Sequence, residues 1–182
     1  ISAPSLGDSL MDLSSRILLN DRKVDLFTDK NNAHIYKDDL YFNKIFVNIK
    51  DIDSKYDLVI LDSYSTRTLK IKSKVASKTN FVGVYRYFNG PEVNRTLFSF
   101  HQMNNLLGYI NTENTINKIA KNSISISKND QDLVSNIVNK KYIAISVGGE
   151  WKYKTYAKWD EVIHLIVEQD KELNIILVGS KN

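Results

Sequence analysis

The amino-acid sequence predicts an α/β fold built on parallel β-strands. Short apolar runs rich in β-branched residues are typical of buried strands, and the sequence contains six of them, at residues 24–27, 44–49, 56–62, 80–84, 142–147 and 174–179. Helical periodicity occurs in the segments around them, at residues 9–20, 65–77, 98–110, 130–139 and 158–170. Strands that alternate with helices predict βαβ units, in which helices cover a parallel sheet.

The order of these elements predicts two domains. Ile1 is expected to end a first strand, and residues 2–7 to form the turn into the first helix. The polar stretch 121–130, with its alternating isoleucines, fits either a linker or an edge strand. A new helix–strand–loop–helix–strand series then runs to Asn182. We therefore expect one α/β domain over residues 1–128 and the start of a second over residues 129–182, with the rest of that second domain lying outside this chain.

Composition and charge limit the kinds of function. The chain of 182 residues has no cysteine, which excludes disulfides, zinc–thiolate sites and cysteine nucleophiles. It has no apolar run near the roughly 20 residues that a membrane-spanning helix needs. Its net charge is +4, which suits an anionic partner such as a phosphorylated small molecule or an anionic lipid. Interleaved acids argue against a dedicated nucleic-acid surface: Asp38, Asp39, Asp51 and Asp53.

The first loop that could hold functional residues is "SLGDSL", residues 5–10. Ligands of open parallel sheets bind beyond the carboxyl ends of strands, where loops enter helices. Gly7 is expected to allow a tight turn and a close approach to a ligand, and the helix that follows offers free N–H groups. Asp8 or Ser9 would then begin the helix, either as an N-cap or as a residue with a chemical role.

The letters Gly-Asp-Ser-Leu also resemble the motif of GDSL lipolytic enzymes, in which Ser9 would be the nucleophile. Such a serine needs a histidine base, which in that family belongs to an Asp-x-x-His pair. None of the three histidines, His34, His101 and His164, follows an aspartate by three residues. An ester hydrolase therefore remains an alternative function, although the sequence shows no histidine base for Ser9.

The second loop, "VGGEWKYKTY", follows the strand that ends at residue 147. Gly148 and Gly149 can bring backbone amides against a phosphate, and Lys152 and Lys154 can add positive charge. Neither the dinucleotide-binding nor the Walker glycine pattern is present. A phosphate-bearing ligand is thus predicted here, with no metal-ligand cluster in the sequence.

With both loops considered, the chain resembles glycosyltransferase family 9, the lipopolysaccharide heptosyltransferases. The resemblance rests on the order and spacing of "SLGDSLMDLS", "KVDLFTDK", "YDLVILDSYSTRT", "KTNFVGVYR", "YIAISVGGEWKYKTYAKWDEVIHLI" and "NIILVGS". Lys154-Thr155-Tyr156-Ala157 departs from the family's usual Lys-x-Trp-Pro, and the family's later Asp-Thr-Gly…His motif would lie beyond residue 182. The implied fold is GT-B, two Rossmann-like domains of which the second is only begun.

The resemblance also implies a reaction: inverting transfer of a sugar, most simply heptose from ADP-heptose, to the anionic Kdo–lipid A core. Asp8 would be the general base, and the donor would contact Gly148, Gly149, Lys152 and Lys154. The acceptor would contact Gly7, Arg67 and Arg86. No metal or other cofactor is expected, nor is nucleic acid. The implied location is the cytoplasm, with peripheral contact at the inner membrane, and this chain alone would be inactive. A non-catalytic nucleotide- or sugar-binding module is the third alternative.

Overall fold

The computed structural model describes residues 1–52, 55–85, 94–138, 141–148 and 155–179. The fold is mixed α/β with parallel strand pairs, which confirms the predicted α/β class. The chain divides into two compact units, residues 1–126 and residues 127–182. Within the described ranges, no helix is both long enough and apolar enough to cross a membrane.

The first unit alternates helices and strands along the chain. Helix α1 spans Leu6–Leu13 and leads into a 3-10 helix at Ser14–Leu19; the strands are β1 (Asp25–Phe27), β2 (Lys44–Phe46), β3 (Leu58–Ser63) and β4 (Asn80–Tyr85). The other helices are α2 (Lys30–Tyr36), α3 (Thr66–Val75), α4 (Arg95–Leu106) and α5 (Glu113–Ile119), with a 3-10 turn at Ile49–Asp51. The four predicted strands of this unit are confirmed. Helices α2 and α5 were not predicted, because seven residues hold too few positions for a periodic apolar pattern.

The N-terminal residues connect two parallel strand pairs. Strand β1 pairs with β2, and β3 pairs with β4. Between the pairs, the Ile1 nitrogen donates to the Ile60 carbonyl (2.7 Å) and the Asp62 nitrogen donates to the Ile1 carbonyl (2.9 Å), which is a parallel pattern. On the other side, the Ser2 nitrogen donates to the Phe27 carbonyl at 3.0 Å. Residues 1 and 2 therefore lie between β1 and β3, as expected for the end of a strand at Ile1.

The first helix differs from its predicted bounds of 9–20. It begins at Leu6, and its α-helical part ends at Leu13. The Ser14 hydroxyl donates to the Leu10 carbonyl (2.7 Å) and the Ser15 hydroxyl donates to the Asp12 carbonyl (3.0 Å). Serine hydroxyls that bond nearby carbonyls compete with the regular helical ladder, which accounts for the change to a 3-10 helix here.

The apolar core of the first unit lies against β3. Val59, Leu61 and Ala76 form a buried cluster, and Ile1 and Leu69 pack on it. Burial of these side chains holds α3 and the N-terminal residues against the strand, since removal of apolar surface from water is the main favourable term in folding. The core therefore fixes the position of the chain that enters α1.

A buried ion pair, Arg16 with Asp39, corrects one expectation about the surface. The Arg16 Nε atom donates to Asp39 Oδ2 at 2.9 Å, and the Tyr41 nitrogen donates to Asp39 Oδ1 at 3.0 Å. Arg16 also lies over the Tyr41 and Phe42 rings. Both charged side chains are buried, so Asp39 is not one of the acids that dilute the positive surface.

The second unit is a shorter α/β arrangement. It contains α6 (Lys128–Val138), β5 (Tyr142–Ser146), α7 (Trp159–Gln169) and β6 (Asn174–Val178). Strands β5 and β6 pair in parallel, with Ile143 opposite Ile175. These elements confirm the two predicted helices and two predicted strands of this region. Residues 121–127 form no strand, which selects the linker over the edge strand.

Candidate functional site

Helix α1 starts directly after the N-terminal residues that lie between β1 and β3. Its N-cap is Ser5, whose hydroxyl accepts the Asp8 N–H at 3.4 Å. The expectation that Asp8 or Ser9 caps the helix is therefore wrong, because the helix begins three residues earlier than the sequence pattern indicates. Asp8 lies in the first helical turn, where the helix dipole favours a carboxylate.

Gly7 does not have the conformational role expected of it. It lies inside α1, its φ is not in the left-handed region, and a Cβ atom placed on it would meet nothing within 4 Å. Neither a tight turn nor a close backbone approach within the described chain requires glycine at this position. The structure shows instead that Gly7, next to Asp8 in the chain, has open space where a side chain would lie.

Arg95 joins two carboxylates of α1. Its Nη1 atom donates to Asp8 Oδ1 at 2.6 Å. Its Nε and Nη2 atoms donate to Asp12 Oδ1 and Oδ2, each at 2.8 Å, which is the bidentate arrangement that gives strong, directional pairing. Asp12 follows Asp8 by four residues, so both carboxylates lie on one face of the helix. We call Asp8, Asp12 and Arg95 the Arg95 cluster.

The members of the Arg95 cluster differ in exposure. The Asp12 side chain is 4% exposed and that of Arg95 is 28% exposed, whereas Asp8 is 41% exposed. Asp8 Oδ1 accepts the bond from Arg95, and Asp8 Oδ2 accepts no hydrogen bond from the described residues. The cluster therefore leaves Asp8 Oδ2 available to solvent, while the bond from Arg95 to Oδ1 fixes the position of the Asp8 side chain.

Sequence reasoning missed Arg95 and Asp12. The four-residue spacing from Asp8 could have identified Asp12 once the helix start was known. No local pattern identifies Arg95, because it reaches α1 from the first residue of α4, 87 positions away in sequence from Asp8. A cation at a helix N-terminus is unfavourable on electrostatic grounds, so its pairing with two carboxylates accounts for its presence there.

Ser9 is buried and does not face solvent. Its hydroxyl is fully buried and lies 2.9 Å from the Tyr36 hydroxyl, which is also buried. Burial raises the pKa of Tyr36, so this phenol is not a base at neutral pH. Among the described residues, His34 is exposed and His101 bonds the Asn117 side chain (3.1 Å). This geometry does not provide Ser9 with the access and the base that a hydrolase nucleophile needs.

Asp62 and Arg67 lie at the carboxyl end of β3. Asp62 is only 9% exposed, and its Oδ1 atom has no hydrogen-bond partner among the described residues. Burial raises the pKa of Asp62, while the Ser63 backbone N–H and the charges of Arg67 and Arg95 act in the opposite direction. Arg67 donates to the Ser2 carbonyl at 3.2 Å. Arg67 therefore lies beside the N-terminal residues that lead into α1.

Asp62 lines a cavity of about 640 Å³ within the first unit. Its lining includes Ser2, Asp12, Leu61, Asp62 and Met103. Pockets of about 300–1,000 Å³ with apolar walls and a few polar groups are typical of small-molecule sites. The buried carboxylates of Asp12 and Asp62 are thus on the wall of a space large enough for a ligand.

The second predicted loop is described only in part. Gly148 follows β5 and is exposed, and a Cβ atom placed on it would meet nothing within 4 Å in the described part of the chain. Gly149, Lys152 and Lys154, together with Arg86 of the first unit, lie outside the described residues. After the loop, the rings of Tyr156 and Trp159 pack edge to face at the start of α7, with 5.7 Å between their centroids.

Comparisons of the chain with protein-family models, with curated proteins and with solved structures return no match.

Proposed function

We propose that this protein is an inverting glycosyltransferase, with Asp8 as its general base, that transfers heptose from ADP-heptose to an anionic Kdo–lipid A core. The observation that carries the proposal is the partly exposed Asp8 carboxylate in the first turn of α1, with Oδ1 bonded to Arg95 and Oδ2 free of described partners. A base must have an accessible lone pair within reach of the acceptor hydroxyl.

The strand arrangement supports this placement. Hydrogen bonds give the order β2, β1, residues 1–2, β3, β4, which is the order of a Rossmann-like half when residues 1–2 are counted as its first strand. In such sheets, ligands bind outside the carboxyl ends of the strands, beside the first strand, where the strand order reverses. Asp8 lies in the first turn of the helix that follows that strand. Asp62 lies at the carboxyl end of β3, the strand next to it, and Arg67 lies in the first turn of α3. A GT-B architecture is part of the proposal.

The reaction follows from these positions. Asp8 Oδ2 accepts the proton of an acceptor hydroxyl while that oxygen forms a bond to the anomeric carbon of the donor. The bond from the anomeric carbon to the diphosphate oxygen breaks at the same time, and the nucleoside diphosphate leaves with the electron pair. Arg95 holds Asp8 in one orientation, and bonds to fixed groups of this kind reduce the reorganisation needed in the transition state.

The donor side of the proposal rests on the resemblance and on residue chemistry. Lys154 would neutralise the leaving diphosphate, with Lys152 and the amides near Gly148 and Gly149 assisting. Arg67 would meet the anionic acceptor, since it is half-buried at the edge from which α1 starts. Arg86 and Gly7 complete the proposed acceptor contacts. The net charge of +4 is consistent with an acceptor at an anionic membrane surface.

The test uses the complete gene product with ADP-heptose and Kdo–lipid A, and mass spectrometry of the lipid product. We expect one heptose to be added by the wild-type protein, and Asp8→Asn to lower the rate by about 100-fold or more, as for loss of a general base. Asp51→Asn, a change of an exposed carboxylate in the 3-10 turn, is the matched control. If the Asp8→Asn protein transferred heptose at the wild-type rate, Asp8 would not be the general base.

A second measurement separates the proposal from ester hydrolysis. The same protein is treated with a fluorophosphonate and assayed with p-nitrophenyl acetate. We expect no label on Ser9, because its hydroxyl is buried against Tyr36. Labelling at Ser9 together with ester cleavage would replace the transferase proposal by the hydrolase.

A further inference from the structure

One carboxyl oxygen of Asp62 forms no hydrogen bond that would stabilise the fold among the described residues. The Asp62 backbone nitrogen bonds the Ile1 carbonyl, so the main chain at this position is fixed. The Oδ1 atom, by contrast, is buried without a hydrogen-bond partner among the described residues. Buried polar atoms in native proteins almost always have a partner, and an orphaned one indicates a water, an ion or a ligand that completes it.

The usual structural explanations for an aspartate at a strand end do not apply to Asp62. Helix α3 is capped by Ser65, whose hydroxyl accepts the Thr68 N–H at 3.3 Å. Within the described chain, the Arg67 guanidinium donates to the Ser2 carbonyl and not to Asp62 Oδ1. Oδ1 is therefore not committed to a cap or to a hydrogen bond with this neighbouring arginine.

The surroundings of Asp62 indicate what kind of group it would accept. The side chain lines the cavity of about 640 Å³ together with Asp12, which belongs to the Arg95 cluster. Burial raises the pKa of Asp62, while the charges of Arg67 and Arg95 act in the opposite direction and favour its ionised form. A neutral hydroxyl group donates one hydrogen bond and adds no charge, so it fits a carboxylate oxygen that has two cations nearby.

We propose that Asp62 Oδ1 accepts a hydrogen bond from a hydroxyl group of the acceptor sugar and so makes Asp62 a specificity-determining residue beside the Arg95 cluster. The inference rests on the proposed function, and it assigns to Asp62 an acceptor contact that is separate from the base, Asp8. The acceptor hydroxyl bound by Asp62 is not the one that reacts, because Asp8 Oδ2 takes that proton.

The test measures transfer by the complete gene product with ADP-heptose and two kinds of acceptor: Kdo–lipid A, and a set of analogues that each lack one Kdo hydroxyl. For the wild-type protein, we expect one deoxy analogue to lose about 10- to 100-fold in kcat/KM, the range for a hydrogen bond to a charged group. For Asp62→Ala, we expect the same loss on the complete acceptor and no further loss on that analogue. The KM for ADP-heptose should stay unchanged.

Asp62→Asn keeps the side-chain shape and one carbonyl-type acceptor, so it guards against a variant that fails to fold. We expect Asp62→Asn to retain part of the preference for the complete acceptor, and Asp51→Asn to retain all of it. Asp62→Asn and Asp62→Ala proteins that discriminate between the acceptors as the wild type does would overturn the inference and leave the proposed function intact. A wild-type protein that transfers nothing would overturn both.

Discussion

Arg95 Nη1 lies 2.6 Å from Asp8 Oδ1, so the first residue of α4 holds the candidate base in the first turn of α1. The rest of the guanidinium is bonded to the buried carboxylate of Asp12. Arg95 therefore cannot move away from Asp8 without also breaking its two hydrogen bonds to Asp12. The orientation of the exposed carboxylate is set by a buried one on the same helix.

Arg95→Ala should destabilise the first unit by about 2–3 kcal/mol, because it leaves Asp12 buried without this cation. Arg95→Lys should recover only part of this, since an ammonium cannot reproduce the bidentate contact. Hydrogen exchange of peptides from α1 and α4 measures the effect. Arg22→Ala is the matched control, because in the described part of the chain Arg22 forms an exposed ion pair with Asp21, and its loss should change stability by less than about 0.5 kcal/mol. Equal exchange in the alanine variants would contradict the role given to Arg95.

Ser9 and Tyr36 should behave as a coupled pair. Ser9→Ala and Tyr36→Phe each leave one buried hydroxyl without its described partner, so each should cost about 1–2 kcal/mol. The double variant should be more stable than the sum of the two single changes predicts, because neither hydroxyl then remains. Urea unfolding of the four proteins, followed by far-ultraviolet circular dichroism, gives the coupling. Strict additivity would mean that the two hydroxyls do not interact.

The buried pair of Arg16 and Asp39 should be among the most sensitive points of the fold. Arg16→Leu leaves the Asp39 carboxylate buried without its cation and should cost about 3–5 kcal/mol. Asp39→Asn/Arg16→Leu should be milder, since no buried charge is left. Thermal unfolding of both variants against wild type compares them. A double variant as unstable as Arg16→Leu would show that the loss comes from packing on Tyr41 and Phe42 and not from charge.

Stability should depend on pH through Asp62. Burial raises the pKa of Asp62 above its ordinary value of 3.8, so the folded protein binds this proton more tightly than the unfolded chain does. The resulting stability is complete below pH 3.8 and is lost as the pH rises through the folded-state pKa. The stability of Asp62→Asn relative to wild type should therefore increase from acid to neutral pH. Urea midpoints measured across this range test it, and a difference that is constant with pH would contradict it.

Much of the secondary structure was predictable because it depends on local pattern. All six predicted strands are present, since runs of β-branched apolar residues fit a buried strand in any context. The bounds of α1 were not predictable from periodicity, because they are set by the Ser5 cap and by the Ser14 and Ser15 hydroxyls. An aspartate at the end of a strand can cap the helix that follows, but at Asp62 this role is taken by Ser65, the N-cap of α3.

The sequence by itself determined the α/β class, the strands and the presence of an aspartate at the start of the first helix, because each follows from residue types a few positions apart. Only the tertiary structure brought Arg95 to Asp8 and Asp12, buried Ser9 against Tyr36 and left one oxygen of Asp62 unpaired among the described residues. These contacts join positions far apart in the chain, and packing decides them through burial and charge pairing that no local pattern encodes.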